Sequence, residues 1–149
     1  MSLQQDIMSA LKEAMKSKNQ TALTALRAVK SAILLAQTES GAKEDLTEDQ
    51  ELKILQKQVK QRKDSAAIYL EQGREDLAAP ELAEAEVISQ FLPEALSEEE
   101  IEKVVVATIN QVGAEGMKDM GKVMGIVSQE LAGQADGKTI STIVRQKLA

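Results

Sequence analysis

Side-chain catalysis near neutral pH usually calls on histidine or cysteine, and this chain contains neither. Serine or cysteine triads, histidine acid–base pairs, histidine or cysteine metal sites and disulfides are excluded together. Carboxylates remain, in Glu84 and Glu86 and in the run from Glu98 to Glu102. On helices these read as a solvated face or a cap, as acidic side chains mostly do. Gly133-Gln134-Ala135-Asp136-Gly137-Lys138-Thr139 has the outline of a phosphate-binding loop. It places three residues before Gly-Lys-Thr where that loop needs four, and it follows a helix instead of a strand. Nucleotide hydrolysis is therefore rejected, and no catalytic residue, metal or cofactor is expected.

The remaining chemistry is that of binding. Gly121 and Gly125 lie four apart in a helical stretch, where each costs about 1 kcal/mol relative to alanine. The favoured reading is a small face that lets another helix approach closely; the second is approach by an RNA backbone or a partner. Lys118, Asp119, Lys122 and Gln129 beside them argue against dimerisation within a membrane. Lys57, Lys60, Arg62 and Lys63 could form a phosphate-contacting stripe, although charge runs are usually solvated faces. With no aromatic residue among them, such a stripe would read RNA backbone or shape and not sequence.

The elements that must position these residues are helical. Leu3, Ile7, Leu11 and Met15, with Met8 widening the stripe, predict a helix ending near Lys18-Asn19. A second starts near Gln20, turns Ala22, Leu23, Leu26, Val29, Ile33 and Leu34 inward, and stops before Ser40-Gly41; 40–46 reads as a polar loop. Thr47 should cap a long third helix whose stripe of Leu52, Leu55, Val59, Ala66 and Tyr69 is interrupted by Arg62. A fourth, from about Asp76, carries Leu77, Leu82, Ala85, Ile88 and Leu92 inward, with Pro80 tolerable only in its first turn. Ser97-Glu98-Glu99-Glu100 has the form of a capping box before Ile101, Val104, Val105, Ile109 and Val112. After Gly113 and Gly116, Asp119 should cap a helix through Leu131. Asp136 should cap a last one containing Ile140, Ile143, Val144 and Leu148.

The expected fold is all-α: an N-terminal bundle of about four helices over 1–92, a junction at 93–96, and a C-terminal three-helix bundle over 97–149. Hydrophobic residues form 43% of the chain but aromatics only 1%, so the cores must be aliphatic. The net charge of −6 argues against bulk attraction to nucleic acid or an anionic membrane, and no DNA partner is expected. Charge is nevertheless segregated, with bases in excess over 1–43 and acids from Asp64 to Glu100 opposed only by Arg74. No stretch approaches the roughly 18 apolar residues of a membrane span. The N-terminus has no signal-like segment. A cytoplasmic location without a membrane partner is the expectation.

Several blocks resemble the YqeY-like family over essentially the whole length. They are Val59-Lys60-Gln61-Arg62-Lys63-Asp64-Ser65, Phe91-Leu92-Pro93-Glu94 with Leu96-Ser97-Glu98-Glu99-Glu100-Ile101, Asp119-Met120-Gly121-Lys122-Val123-Met124-Gly125, and Ala135-Asp136-Gly137 with Ile143-Val144. This family is similar to the tail of the B subunit of glutamine-dependent tRNA amidotransferase, a tRNA-contacting appendage whose partner domains hold the chemistry. The resemblance implies association with carbon–nitrogen ligation using glutamine as nitrogen donor, without the catalytic machinery. It also leads to a basic residue where Gln134 stands, which weakens a phosphate contact at that turn. The expected function is a tRNA-binding accessory module acting through Gly121, Lys122, Gly125, Lys138 and Arg145, extended by Lys60, Arg62 and Lys63. Lys118 and Lys147 are further cations of the same bundle. The alternative is an adaptor docking on an amidotransferase or synthetase.

Overall fold

The computed structural model describes residues 2–39 and 46–149. Among them are seven α-helices, one 3₁₀ turn and no strand, so the protein is all-α. The backbone divides into two compact units, residues 1–92 and 93–149. The polar loop expected over 40–46 lies outside the described residues except for Leu46, which packs on the first core.

In the N-terminal unit, α1 (Leu3–Ser17) starts where the Ser2 hydroxyl accepts from the Gln5 N–H and the Gln5 side chain accepts in return. It ends at Lys18, whose left-handed φ of 56° turns the chain. Asn19 Oδ1 then accepts from Ala22 N–H at 3.1 Å and starts α2 (Gln20–Glu39). Thr47 caps α3 (Glu48–Glu71) as expected, and Gln50 completes the reciprocal pair. Gly73, at φ 71°, turns the chain toward α4 (Glu75–Ser89). The core is built from Ile7, Leu11, Leu26, Val29, Leu55 and Ile88 with small alanines between them.

Which apolar residues are buried differs in part from the sequence expectation. Met8, Met15, Leu34, Leu77 and Leu82, expected inward, are all exposed. Ala14 on α1 and Ala78 on α4 take buried positions instead, while Ala85 is buried as expected. Pro80 lies in the second turn of α4, beyond the first-turn limit set for it. The helix continues because Pro80 is exposed and the carbonyl it leaves unbonded, that of Asp76, belongs to an exposed first turn.

In the C-terminal unit, the Ser97 hydroxyl accepts from Glu100 N–H and starts α5 (Glu98–Val112), which Gly113 ends at φ 65°. A 3₁₀ turn (Met117–Asp119) precedes α6 (Met120–Glu130), and Asp136 caps α7 (Gly137–Leu148) through Thr139 N–H at 2.6 Å. Asp119 does not cap α6. Its carboxylate accepts from Glu115 N–H at 3.0 Å, because the 3₁₀ turn places it over the incoming loop. Ile101, Val105, Val123, Val127, Ile140 and Val144 fill the second core. The one buried polar side chain among the described residues, Thr108, donates to the Val104 carbonyl.

Candidate nucleic-acid interface

The C-terminal unit positions its cations by burying the opposite sides of two helices. On α7, Ile140, Ile143, Val144 and Leu148 face the core. Lys138 and Arg145, seven residues apart, therefore share the outer face with Thr142 between them. On α6, burial of Val123 and Val127 turns Gly121, Lys122 and Gly125 outward. Among the described residues Lys122, Lys138 and Arg145 have no ion-pair partner. Lys147 is held by Glu102 at 2.6 Å and Lys118 by Glu115 at 3.5 Å, so these two cations are already partly neutralised.

The glycines overturn the favoured packing reading. A Cβ placed on Gly121 or Gly125 would meet nothing within 4 Å, so no helix of this unit uses the small face. Packing among the described residues of this unit does not offset their cost in helix propensity. What they present is bare helical backbone beside Lys122. Nearby Ile126 is 37% exposed and was missed by the sequence reading, because an apolar residue in an amphipathic helix is assigned to the core by default.

The turn before α7 is stitched to the start of the unit. Gln134 accepts from Leu96 N–H through its carbonyl, and its side-chain amide donates to the Glu94 carbonyl at 3.5 Å. Here the side chain that stands in place of an expected cation serves the fold.

In the N-terminal unit the basic stripe does not assemble as one surface. Lys60 and Lys63 are exposed on α3, and Lys60 holds Asp64 at 2.9 Å. Arg62 points the other way, into the α3–α4 contact. Its Nη1 donates to Gln58 Oε1 at 2.7 Å, and its Nε lies 3.6 Å from Glu84 Oε1. With side-chain exposures of 12% and 15%, Arg62 and Glu84 form a mostly buried pair that phosphate could not reach without breaking it. No group of three or more aspartates and glutamates among the described residues is arranged to hold a metal ion.

The family model described as Yqey-like protein matches residues 4–148. The chain is 36% identical over 126 residues to Altered inheritance of mitochondria protein 41, mitochondrial, of Clavispora lusitaniae, covering 82% of this chain and 72% of that one. It is 32% identical over 140 residues to the protein of the same name from Pyrenophora tritici-repentis, covering 91% and 75%. A shorter match, 40% over 73 residues, is to the E subunit of Glutamyl-tRNA(Gln) amidotransferase of Thermococcus gammatolerans, covering 46% of this chain and 12% of that one.

The cytoplasmic expectation is overturned by the first two names, both of mitochondrial proteins. The physical reason is that a lack of apolar spans does not separate cytoplasm from an organelle interior. The relation to tRNA amidotransferase stands, carried by the match to its E subunit. With a family model spanning nearly all of it, and two relatives matched over most of both lengths, the chain belongs to the Yqey-like protein family.

Proposed function

We propose that this protein is a tRNA-binding accessory module, related to the amidotransferase subunits it resembles and without catalysis of its own. The observation that carries the reading is the outer face of α6. Gly121 and Gly125 expose backbone with open space above them, and Lys122, unpaired among the described residues, stands between them. A polyanion backbone can approach such a face closely, and a lysine there supplies the charge. Lys138 and Arg145 on α7 add two further cations without an ion-pair partner among the described residues. Lys60 and Lys63 are a secondary candidate surface in the other unit, and Arg62 is left out because Glu84 and Gln58 occupy it. Similarity to a protein named for glutamyl-tRNA(Gln) supports tRNA as the ligand class.

The test is a filter-binding or anisotropy titration of tRNA at several salt concentrations, with the wild-type chain, a Lys122→Glu variant and a Gly121→Leu variant. Binding that weakens with salt and falls about tenfold or more in each variant is the expected result. Absence of binding at low salt, or variants that bind like wild type, overturns the reading. Capture of the same protein partner before and after nuclease treatment would instead support the adaptor alternative.

A further inference from the structure

The N-terminal unit carries a second surface that the RNA reading does not use. Between α1 and α2 runs a groove of about 250 Å³. Buried Ile7 and Ile33 form its floor, exposed Met8 and Leu34 its walls, and Lys30 and Gln37 part of its rim. Met8 is 42% and Leu34 52% exposed, and Met15, on the same side of α1, is 53% exposed. Two helices joined by the short Lys18-Asn19 turn leave parallel ridges with an apolar furrow between them, a shape that a third helix fills.

Charge selects what kind of helix. Lys30 lines the furrow itself, and helical spacing sets Lys12 one turn beyond Met8 on α1 and Arg27 one turn before Lys30 on α2, along the same side of the two helices. None of the three has an ion-pair partner among the described residues. The acids of α1, Asp6 and Glu13, are themselves seven apart and share the opposite flank of that helix. The furrow is thus apolar at its floor and walls, with Gln4, Gln37 and the cation Lys30 at its rim and two further cations along the same side. Methionine at the wall lets it adapt to differently shaped side chains.

We infer that the α1–α2 groove docks an acidic amphipathic helix of a partner protein, with apolar residues at i, i+3, i+4 and i+7 on the floor and carboxylates against Lys12, Arg27 and Lys30. This inference is independent of the RNA reading, which rests on the C-terminal unit and, secondarily, on Lys60 and Lys63 of α3, none of which lines the groove.

The probe is a helical peptide of about 18 residues with leucine at those spacings and glutamate on both flanks, titrated against the full chain by fluorescence anisotropy and by amide chemical-shift mapping. The comparison probes are the same peptide with lysine in place of glutamate, and vesicles of phosphatidylcholine with phosphatidylserine. The acidic peptide is expected to bind about tenfold or more tightly than the basic one, with shifts confined to α1 and α2. Leu34→Asp should remove this binding, while Leu35→Asp, on a neighbouring exposed position outside the groove, should leave it unchanged. Lys30→Glu should narrow or reverse the preference between the two peptides.

Thermal melts of the Leu34 and Leu35 variants establish that both fold; both positions are more than half exposed. Equal binding of the two peptides, binding of neither, tighter binding to the vesicles, or equal effects of the Leu34 and Leu35 substitutions each overturn the inference. tRNA binding measured on Leu34→Asp should match wild type. Failure of the RNA reading and failure of this one are therefore read from separate signals.

Discussion

Arg62 stands where helical spacing asks for an apolar side chain, and its environment explains what that exception does. It faces Glu84 across the α3–α4 contact with its Nε proton buried and unbonded, so the pair is held by charge more than by hydrogen bonds. Arg62→Ala leaves the Glu84 carboxylate mostly buried without its cation. It should destabilise the protein by about 2–4 kcal/mol, whereas the double variant combining Arg62→Met with Glu84→Leu recovers most of that loss in urea melts. A smaller effect sits at Lys18, a non-glycine residue in the left-handed region. Lys18→Gly should stabilise by about 0.5–1 kcal/mol, measured the same way. At the α3–α4 turn the Arg74 guanidinium bonds both oxygens of Asp76 and holds its carboxyl below the usual range. Because that pKa is depressed in the folded state, the pair contributes above the unfolded aspartate pKa and its contribution is lost as pH falls through the folded one. In Arg74→Gln, an NMR titration of Asp76 should move up toward the ordinary aspartate range.

Among the elements, α6 separates what propensity and packing each explain. Its glycines meet open space, so Gly121→Ala and Gly125→Ala face no steric objection; Gly125→Ala should stabilise the helix by about 1 kcal/mol and Gly121→Ala, in the first turn, by less. A stabilising substitution that also weakens tRNA binding would locate the reason for glycine in the ligand. Helix starts were legible where a side chain caps them: Thr47, Ser97 and Asp136 all do so in the structure. Asp119 was misread because the 3₁₀ turn, which has no periodic signature of its own, supplies the start of α6. Which face is buried was legible only in part. The spacing of Leu34, Met8 and Leu82 is that of core residues, yet alanines elsewhere on α1 and α4 are buried while these three stay exposed. Apolar periodicity marks a face; it does not say how wide a strip the neighbouring helix covers. The groove between α1 and α2 was hidden by that same ambiguity, since its walls read as core.

For the whole molecule, the net charge of −6 sets the terms on which any RNA is bound. A chain of this sign gains nothing from its overall field, so binding must come from a few local cations close to phosphates. If Lys122, Lys138 and Arg145 each neutralise one phosphate, the logarithm of the association constant should fall with the logarithm of salt at a slope of about −2 to −3, using roughly −0.7 to −0.9 per contact. Raising salt from about 50 to 200 mM then weakens binding roughly 20- to 40-fold. Arg145→Gln should reduce the slope by somewhat under one unit and weaken binding at low salt far more than at high salt. Lys147→Gln should alter it little, because Glu102 already holds that ammonium at 2.6 Å. A slope near zero in the wild-type chain would mean that these cations do not meet phosphate at all. A slope much steeper than about −3 would require cations beyond the C-terminal unit, with Lys60 and Lys63 of α3 the next to be replaced.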